Sequence, residues 1–424
     1  MTTAPSSPPP PRGSFHLGFG EFVVLVAAMM ASQALAIDAM LPALPTIVGV
    51  LHVGNPNHGQ WIVTAYVVGM AMGQLFWGMM SDRFGRRPIL LTGLGLYALA
   101  AISCGLSQSF AALLVWRLVH GLSAASVVVA RSVIRDLYSG RQMARVMSLT
   151  FIVFLLSPII APSIGQLILL TAPWRDIFIV CGVYAAIVWS WTTFRLPETL
   201  HPEYRMTLTR SHLAGAVRLI LGNRISLGYT LAMTVLLGSL LAYVGMAQQI
   251  FGEVFHRPAQ MPAMFALCAA AMGLASFLNS SIVERLGMRR ISHTALLVFI
   301  LVALLHLLIA AYGLERLWTF VVLQSITMGC FSLAVSNFGA MAMEPVGRVA
   351  GIGAALQGFI STFGGALVAA GIGSLFNGST VPLAGGALCC GLLSLLCVLL
   401  AEQGRLFRTQ PGTLEPGAAG EMAI

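Results

Sequence analysis

The chain has 424 residues, of which 58% are hydrophobic and only 9% charged, with a mean hydropathy of +0.87. A soluble chain of this length would carry roughly a quarter charged residues, and no water-soluble interior could hide so much apolar side chain; a bilayer core solvates it directly. The net charge of +9 comes from 23 arginines and no lysine, set in short clusters between apolar runs, which argues against the continuous basic face of a nucleic-acid binder.

Residues 1–14, with Pro8 to Pro11, read as a short disordered cytoplasmic tail. The tail lacks the basic n-region and small-residue cleavage site of a signal peptide, so the first apolar run is expected to be a retained helix. With about 20 apolar residues needed per crossing, spans are expected over 19–45, 60–81, 88–107, 110–133, 146–170 and 174–195. A second set is expected over 225–250, 260–282, 290–312, 316–342, 349–376 and 381–402. The polar stretch 196–224, opened by Pro197-Glu198-Thr199, divides six from six as a cytoplasmic linker, and 403–424 forms a cytoplasmic tail. The expected fold is therefore an all-α integral membrane protein of twelve transmembrane helices, arranged as two pseudo-symmetric six-helix bundles over 15–195 and 225–402.

Arginine asymmetry orients these spans. One set of loops holds Arg83, Arg86, Arg87, Arg135, Arg141, Arg145, Arg205, Arg210, Arg218, Arg224, Arg285, Arg289, Arg290 and Arg348; the other holds Arg175, Arg257 and Arg316. The positive-inside rule places the first set, and both termini, in the cytoplasm. The halves also echo each other. Asp82-Arg83-Phe84-Gly85-Arg86-Arg87 follows the second span, and Glu284-Arg285-Leu286-Gly287-Met288-Arg289-Arg290 follows the eighth with one extra residue. An acid-Arg-apolar-Gly-Arg-Arg order at corresponding places in two halves points to duplication, the plan on which many secondary transporters are built.

Few charges lie inside the apolar runs. Asp38 sits well inside the first span, where a charge costs roughly 2.5–3.5 kcal/mol and normally faces a bundle interior or water. One reading is a carboxyl that alternates between a proton and a cationic or polar substrate; the other is a structural partner for an arginine, or an acid at a helix end near Pro42. Arg117, in the fourth span with His120 and Gly121 at helical spacing, keeps its charge in any surroundings and either biases a carboxylate or holds an anionic group. His120 alone reads as hydrogen-bonded packing. In the loop, Gly78 permits close helix approach and Gly85 a tight turn, so that Asp82 could meet Arg135 or the helix N-terminus near Val349, a gating contact.

Pro158, Pro162 and Gly165 could bend the fifth span and pack it against the eighth. Tyr66, Phe154, Tyr243, Gln248, Asn337 and Gln357, together with Trp61 and Trp189, are candidates for cavity or gate positions, or for lipid-facing packing. The seven cysteines sit in apolar runs without metal-finger spacing, and no metal site or cofactor is expected. Neither G-x-S-x-G nor H-E-x-x-H occurs, which disfavours a membrane enzyme, and without a Walker loop ATP is not the energy source.

These strings resemble the major facilitator superfamily, and within it the Bcr/CflA-type drug-resistance exporters among the drug:proton antiporters. Gly78, Asp82, Arg83, Gly85, Arg86 and Arg87 match the superfamily loop G-x-L-a-D-R-x-G-R followed by a further basic residue. Ile37-Asp38-Ala39-Met40-Leu41-Pro42-Ala43-Leu44-Pro45 is similar to the subgroup's I-D-x-x-L-P-A-L-P, and Arg117-Leu118-Val119-His120-Gly121 with Arg135-Asp136-Leu137-Tyr138 is similar to its fourth span. The antiporter motif G-x-x-x-G-P-x-x-G-G is met only in part by Ser157 to Gln166, which keep Pro162 and Gly165. No second acid lies one or two turns before Asp38, where Met29, Met30 and Gln33 stand. The resemblance implies a monomeric, proton-coupled exporter of small drug-like molecules in the bacterial inner membrane, with Asp38 as counter-charge to Arg117. A dedicated exporter or importer of one metabolite on the same fold is the alternative.

Overall fold

The computed structural model describes residues 17–138, 140–201, 203, 217, 218 and 220–407. The expected tail 1–14 lies outside them, as do 204–216, with Arg205 and Arg210, and everything after 407. Every regular element among the described residues is helical. In chain order these are α1 (Phe19–Asp38), α2 (Leu44–Val50), α3 (Trp61–Phe84), α4 (Arg86–Leu106), α5 (Phe110–Leu122), α6 (Ala125–Leu137), α7 (Gly140–Thr171) and α8 (Arg175–Arg195). They continue with α9 (Arg224–Gln249), α10 (Met261–Leu286), α11 (Met288–Ala311), α12 (Leu317–Met343), α13 (Ala350–Ser374) and α14 (Val381–Ala401).

Ten stretches among the described residues are long and apolar enough to cross a bilayer; the first runs unbroken in hydropathy from Phe19 to Val50 and so joins α1 to α2. The helix itself is interrupted inside that stretch. Pro42 and Pro45 lack the amide hydrogens that would continue the ladder, and a 3-10 turn over Leu41–Ala43 separates the two pieces. Asp38 closes α1 on the near side of this break.

The expected fourth span is not continuous: it is split into α5 and α6. At the break the Ser123 hydroxyl donates back to the carbonyls of Val119 and His120, both at 2.9 Å, and the Trp77 indole takes the Leu122 carbonyl. Back-bonding of this kind bends a helix, and the Ala124 amide turns to the Gly121 carbonyl, so the α-helical ladder is interrupted here. Each piece is then too short to cross alone.

The outer surface carries large apolar side chains at Leu99, Leu167, Leu274, Leu301 and Leu400, all more than half exposed. Water would not tolerate so extensive an apolar surface, whereas lipid tails match it. Inside, Phe22, Leu25, Leu90 and Val133 pack together in the first half of the chain, and Tyr229, Leu236, Phe299 and Phe338 in the second. A third core, with Leu41, Tyr66, Tyr243 and Phe251, runs across both. Between the halves, α3 packs on α13 and α7 on α10.

Candidate functional site

Arg117 on α5 is completely buried. A guanidinium so placed must find acceptors, and the interrupted first span supplies one. Arg117 donates through a terminal nitrogen to the Ala36 carbonyl at 3.2 Å, and through Nε to the Ile62 carbonyl of α3 at 3.0 Å. Its carbon lies 4.5 Å from the centre of the Tyr66 ring and 5.7 Å from that of Phe178, within cation–π range. His120 Nδ1 stands 3.4 Å from Arg117, and the His120 ring meets the edges of Tyr66 and Tyr97. The packing of His120 thus includes the arginine, while its Nε2 and the second terminal nitrogen of Arg117 have no hydrogen-bond partner among the described residues. Tyr97 fastens α4 to α1 by donating to the Ser32 carbonyl at 2.6 Å.

Asp38 is 6% exposed, close to this cluster in the fold but not part of its bonding. Among the described residues no hydrogen bond or ion pair reaches its carboxyl, so the expected Asp38–Arg117 pair is absent from this conformation. In its place the guanidinium takes two backbone carbonyls, Ala36 near the end of α1 and Ile62 in the first turn of α3. Gly165 of α7 faces this same place. A Cβ there would overlap the Ala39 carbonyl, so Gly165 allows α7 to approach the first span next to Asp38 in sequence. Gly121 does the same for α5 and α3, where a Cβ would overlap the Tyr66 carbonyl. Pro162 is buried, and the side chains of Pro158 and Phe154 lie outside the described residues.

At the far end of α3 the loop motif forms a compact charge cluster. Gly85 adopts φ +105°, the region that favours glycine, and turns α3 into α4. Arg86 folds back to pair with Asp82, donates to Ser81 Oγ at 2.8 Å and reaches Asp136 of α6 at 2.9 Å. Glu198 caps α4, accepting from the backbone amides of Arg86 at 2.9 Å and Arg87 at 3.3 Å. The Arg87 side chain donates to the Thr193 carbonyl, Arg83 lies over the Phe84 ring, and the Gly78 carbonyl accepts from Ser81 Oγ. The expected Asp82–Arg135 contact is not formed: Arg135 is exposed and reaches only Ser132, while its neighbour Asp136 takes the inward position. Asp136 and Glu198 were the partners that motif reading missed, although both sit beside singled-out strings.

The remaining candidates have separate contacts among the described residues. Tyr243 stacks on Phe265 at 5.5 Å; Asn337 donates to Asn279 at 2.9 Å; Gln357 donates to the Gly339 carbonyl at 3.3 Å. Trp61 and Trp189 are exposed, Trp61 stacked on His58 and Trp189 bonded to the Leu91 carbonyl. At the end opposite the loop motif, amide side chains join the two halves. Gln60 donates to Gln249 at 2.6 Å, Gln249 to Asn57 at 2.9 Å, and Asn57 to the Phe376 carbonyl at 2.9 Å. Nothing in the sequence marks these three amides, since their meaning depends on which helix ends meet.

A helical, lipid-facing chain with charges sealed inside it and loop clusters at one end defines a polytopic membrane carrier. The chain belongs to the Major Facilitator Superfamily, whose pattern matches residues 23–369. It is 30% identical over 377 residues to a bicyclomycin resistance protein homolog of Haemophilus influenzae, covering 88% of this chain and 94% of that one. It is 26% identical to the multidrug resistance protein MdtL of Escherichia coli, over 91% of this chain and 96% of that protein. Among solved structures, the xylose transporter XylE from E. coli matches with a TM-score of 0.71 at 12% identity, over 94% of this chain and all of the other. The protein is thus a multi-pass membrane transporter of small molecules, not an enzyme.

Proposed function

We propose that this transporter is a proton-coupled exporter of small drug-like molecules, working by alternating access as a monomer in the bacterial inner membrane. The observation that carries the reading is Asp38: a buried carboxyl at the break of the first span, two residues beyond the Ala36 carbonyl that the buried Arg117 takes, and unpaired with that arginine. As an anion it holds an uncompensated charge; a proton removes that charge, and so does a cationic substrate. Arg117 stays charged throughout and repels a second cation, which favours one occupant at a time. Two arrangements of the first span, with Asp38 either protonated and apart from Arg117 or ionised and drawn towards it, couple proton binding to conformation.

The architecture that suits this mechanism has twelve spans in two six-helix bundles over 15–195 and 225–402, with 196–224 as linker. The ten apolar stretches, α5 with α6 as one broken span, and α7 as another support that number. The arginine distribution supports both termini in the cytoplasm. The cluster of Asp82, Arg86, Asp136 and Glu198 then serves as the inner latch, and the amides of Asn57, Gln60 and Gln249 as the outer closure. Sparse charge inside the apolar spans, and relatives named for drug resistance, favour broad export over carriage of one metabolite.

The test is transport into inverted vesicles under an imposed pH gradient, with cationic, neutral and zwitterionic antibiotics. Export is expected to collapse with the gradient, and Asp38→Asn is expected to lose gradient-driven uptake while inserting normally. Full uptake by Asp38→Asn would sink the proton assignment.

A further inference from the structure

We infer that the end of the molecule opposite the loop motif holds a second binding site, for a compact organic cation bearing an ammonium group. A cavity of about 220 Å³ lies there between the halves, walled by Pro45 and Val48 of α2 and by Gln60, Gln248, Gln249 and Glu253. It is smaller than a usual drug pocket of roughly 300–1,000 Å³, so it suits one ring with one charged group or the corresponding part of a larger molecule.

Three features define what would bind. Gln248 is 8% exposed, and its Oε1 is sealed from solvent without a hydrogen-bond partner among the described residues. A desolvated acceptor with nothing to accept from is costly, and rotation of the Gln248 amide towards the cavity would present it to a donor-bearing ligand and relieve that cost. Glu253 is exposed and free of ion pairs or hydrogen bonds among the described residues, and it is the charged group in the lining. Its carboxylate selects a cation over an anion. The apolar faces of Pro45 and Val48 receive the hydrocarbon part. Glu253 also lies on a π-helical turn over Ile250–Val254, a departure from the α-helix frequent at functional sites.

This site shares its wall with the closure between the halves. Gln60 and Gln249 bond to each other across the interface while lining the cavity. An occupant that takes either amide competes with that bond, so occupancy favours separation of the halves at this end. The inference rests on the transporter reading but needs neither proton coupling nor a particular orientation in the membrane.

The experiment titrates the full chain, in lipid nanodiscs that expose both ends, with benzylammonium and with benzyl alcohol as its neutral counterpart, by calorimetry. Benzylammonium is expected to bind about tenfold more tightly than the alcohol, and Glu253→Gln to remove about that factor. Gln248→Leu is expected to weaken binding several-fold, with folding of each variant checked by its thermal transition. Equal affinity for cation and alcohol, or full benzylammonium affinity in Glu253→Gln, would overturn the site. No pH gradient exists in nanodiscs, so this outcome is separate from loss or retention of gradient-driven uptake in Asp38→Asn.

Discussion

The two acid-Arg-Gly-Arg loops share a sequence pattern and a backbone, yet they recruit different partners. Gly85 and Gly287 both adopt positive φ, +105° and +78°, and each turns one long helix into the next. In the first loop Arg86 follows its glycine directly and pairs with the motif's own acid, Asp82, and with Asp136. In the second, Met288 intervenes. One extra helical residue rotates the arginine by roughly 100°, and Arg289 points away from Glu284 towards Glu402, which it meets at 2.7 Å, with Glu344 at 3.9 Å. Glu402 also accepts from the Tyr229 hydroxyl at 2.7 Å, and His293 joins that hydroxyl at 3.1 Å. The first loop is thus a latch among α3, α4 and α6, and the second ties the end of α14 to α9 and α11. A repeat preserves the turn; a single inserted residue reassigns the charge.

That comparison can be broken experimentally, and the arginines offer the largest lever. Arg86→Ala removes the shared partner of Asp136 and a half-buried Asp82, leaving Asp136 only the Thr199 hydroxyl at 3.3 Å, and is expected to cost about 3 kcal/mol, whereas Arg289→Ala, whose partner Glu402 keeps its tyrosine at 2.7 Å, should cost about 2 kcal/mol. Thermal unfolding in detergent reads both; equal losses would remove the distinction. The glycines sharpen it further. Gly85→Ala combines backbone strain with a Cβ that would overlap the Glu198 carboxylate, while at Gly287 a Cβ meets nothing within 4 Å. Strain alone, about 1–2 kcal/mol, is expected for Gly287→Ala, and a larger loss for Gly85→Ala. The smallest effects lie in the acids themselves. Asp82→Asn should lower the unfolding temperature measurably, whereas Glu284→Gln, exposed and without an ion pair among the described residues, should leave it unchanged.

Much of this organisation was legible before any coordinates. Long apolar runs revealed the spans because a bilayer requires them, and the glycines of the two loops revealed the turns because other residues rarely adopt that conformation. Hydropathy showed an apolar run over the fourth span but not the interruption between α5 and α6, where Ser123 bonds back to the Val119 and His120 carbonyls. Asp38 and Arg117 could be singled out as costly charges in an apolar setting. Their expected pairing could not be checked at that level, since Arg117 takes backbone carbonyls of two different helices, Ala36 of α1 and Ile62 of α3, which only the packing brings to it.

By itself, then, the sequence determined that this chain lives in a membrane, where its long apolar stretches fall, that two of its loops share one acid-Arg-Gly-Arg order and which rare charges lie within. Those properties follow from composition and local spacing. Only the tertiary structure decided who partners whom: Arg117 with Ala36 and Ile62, Arg86 with Asp136, Arg289 with Glu402, and Gln60 with Gln249. Partnership depends on which faces of distant helices meet, and a rotation of one residue is enough to change it.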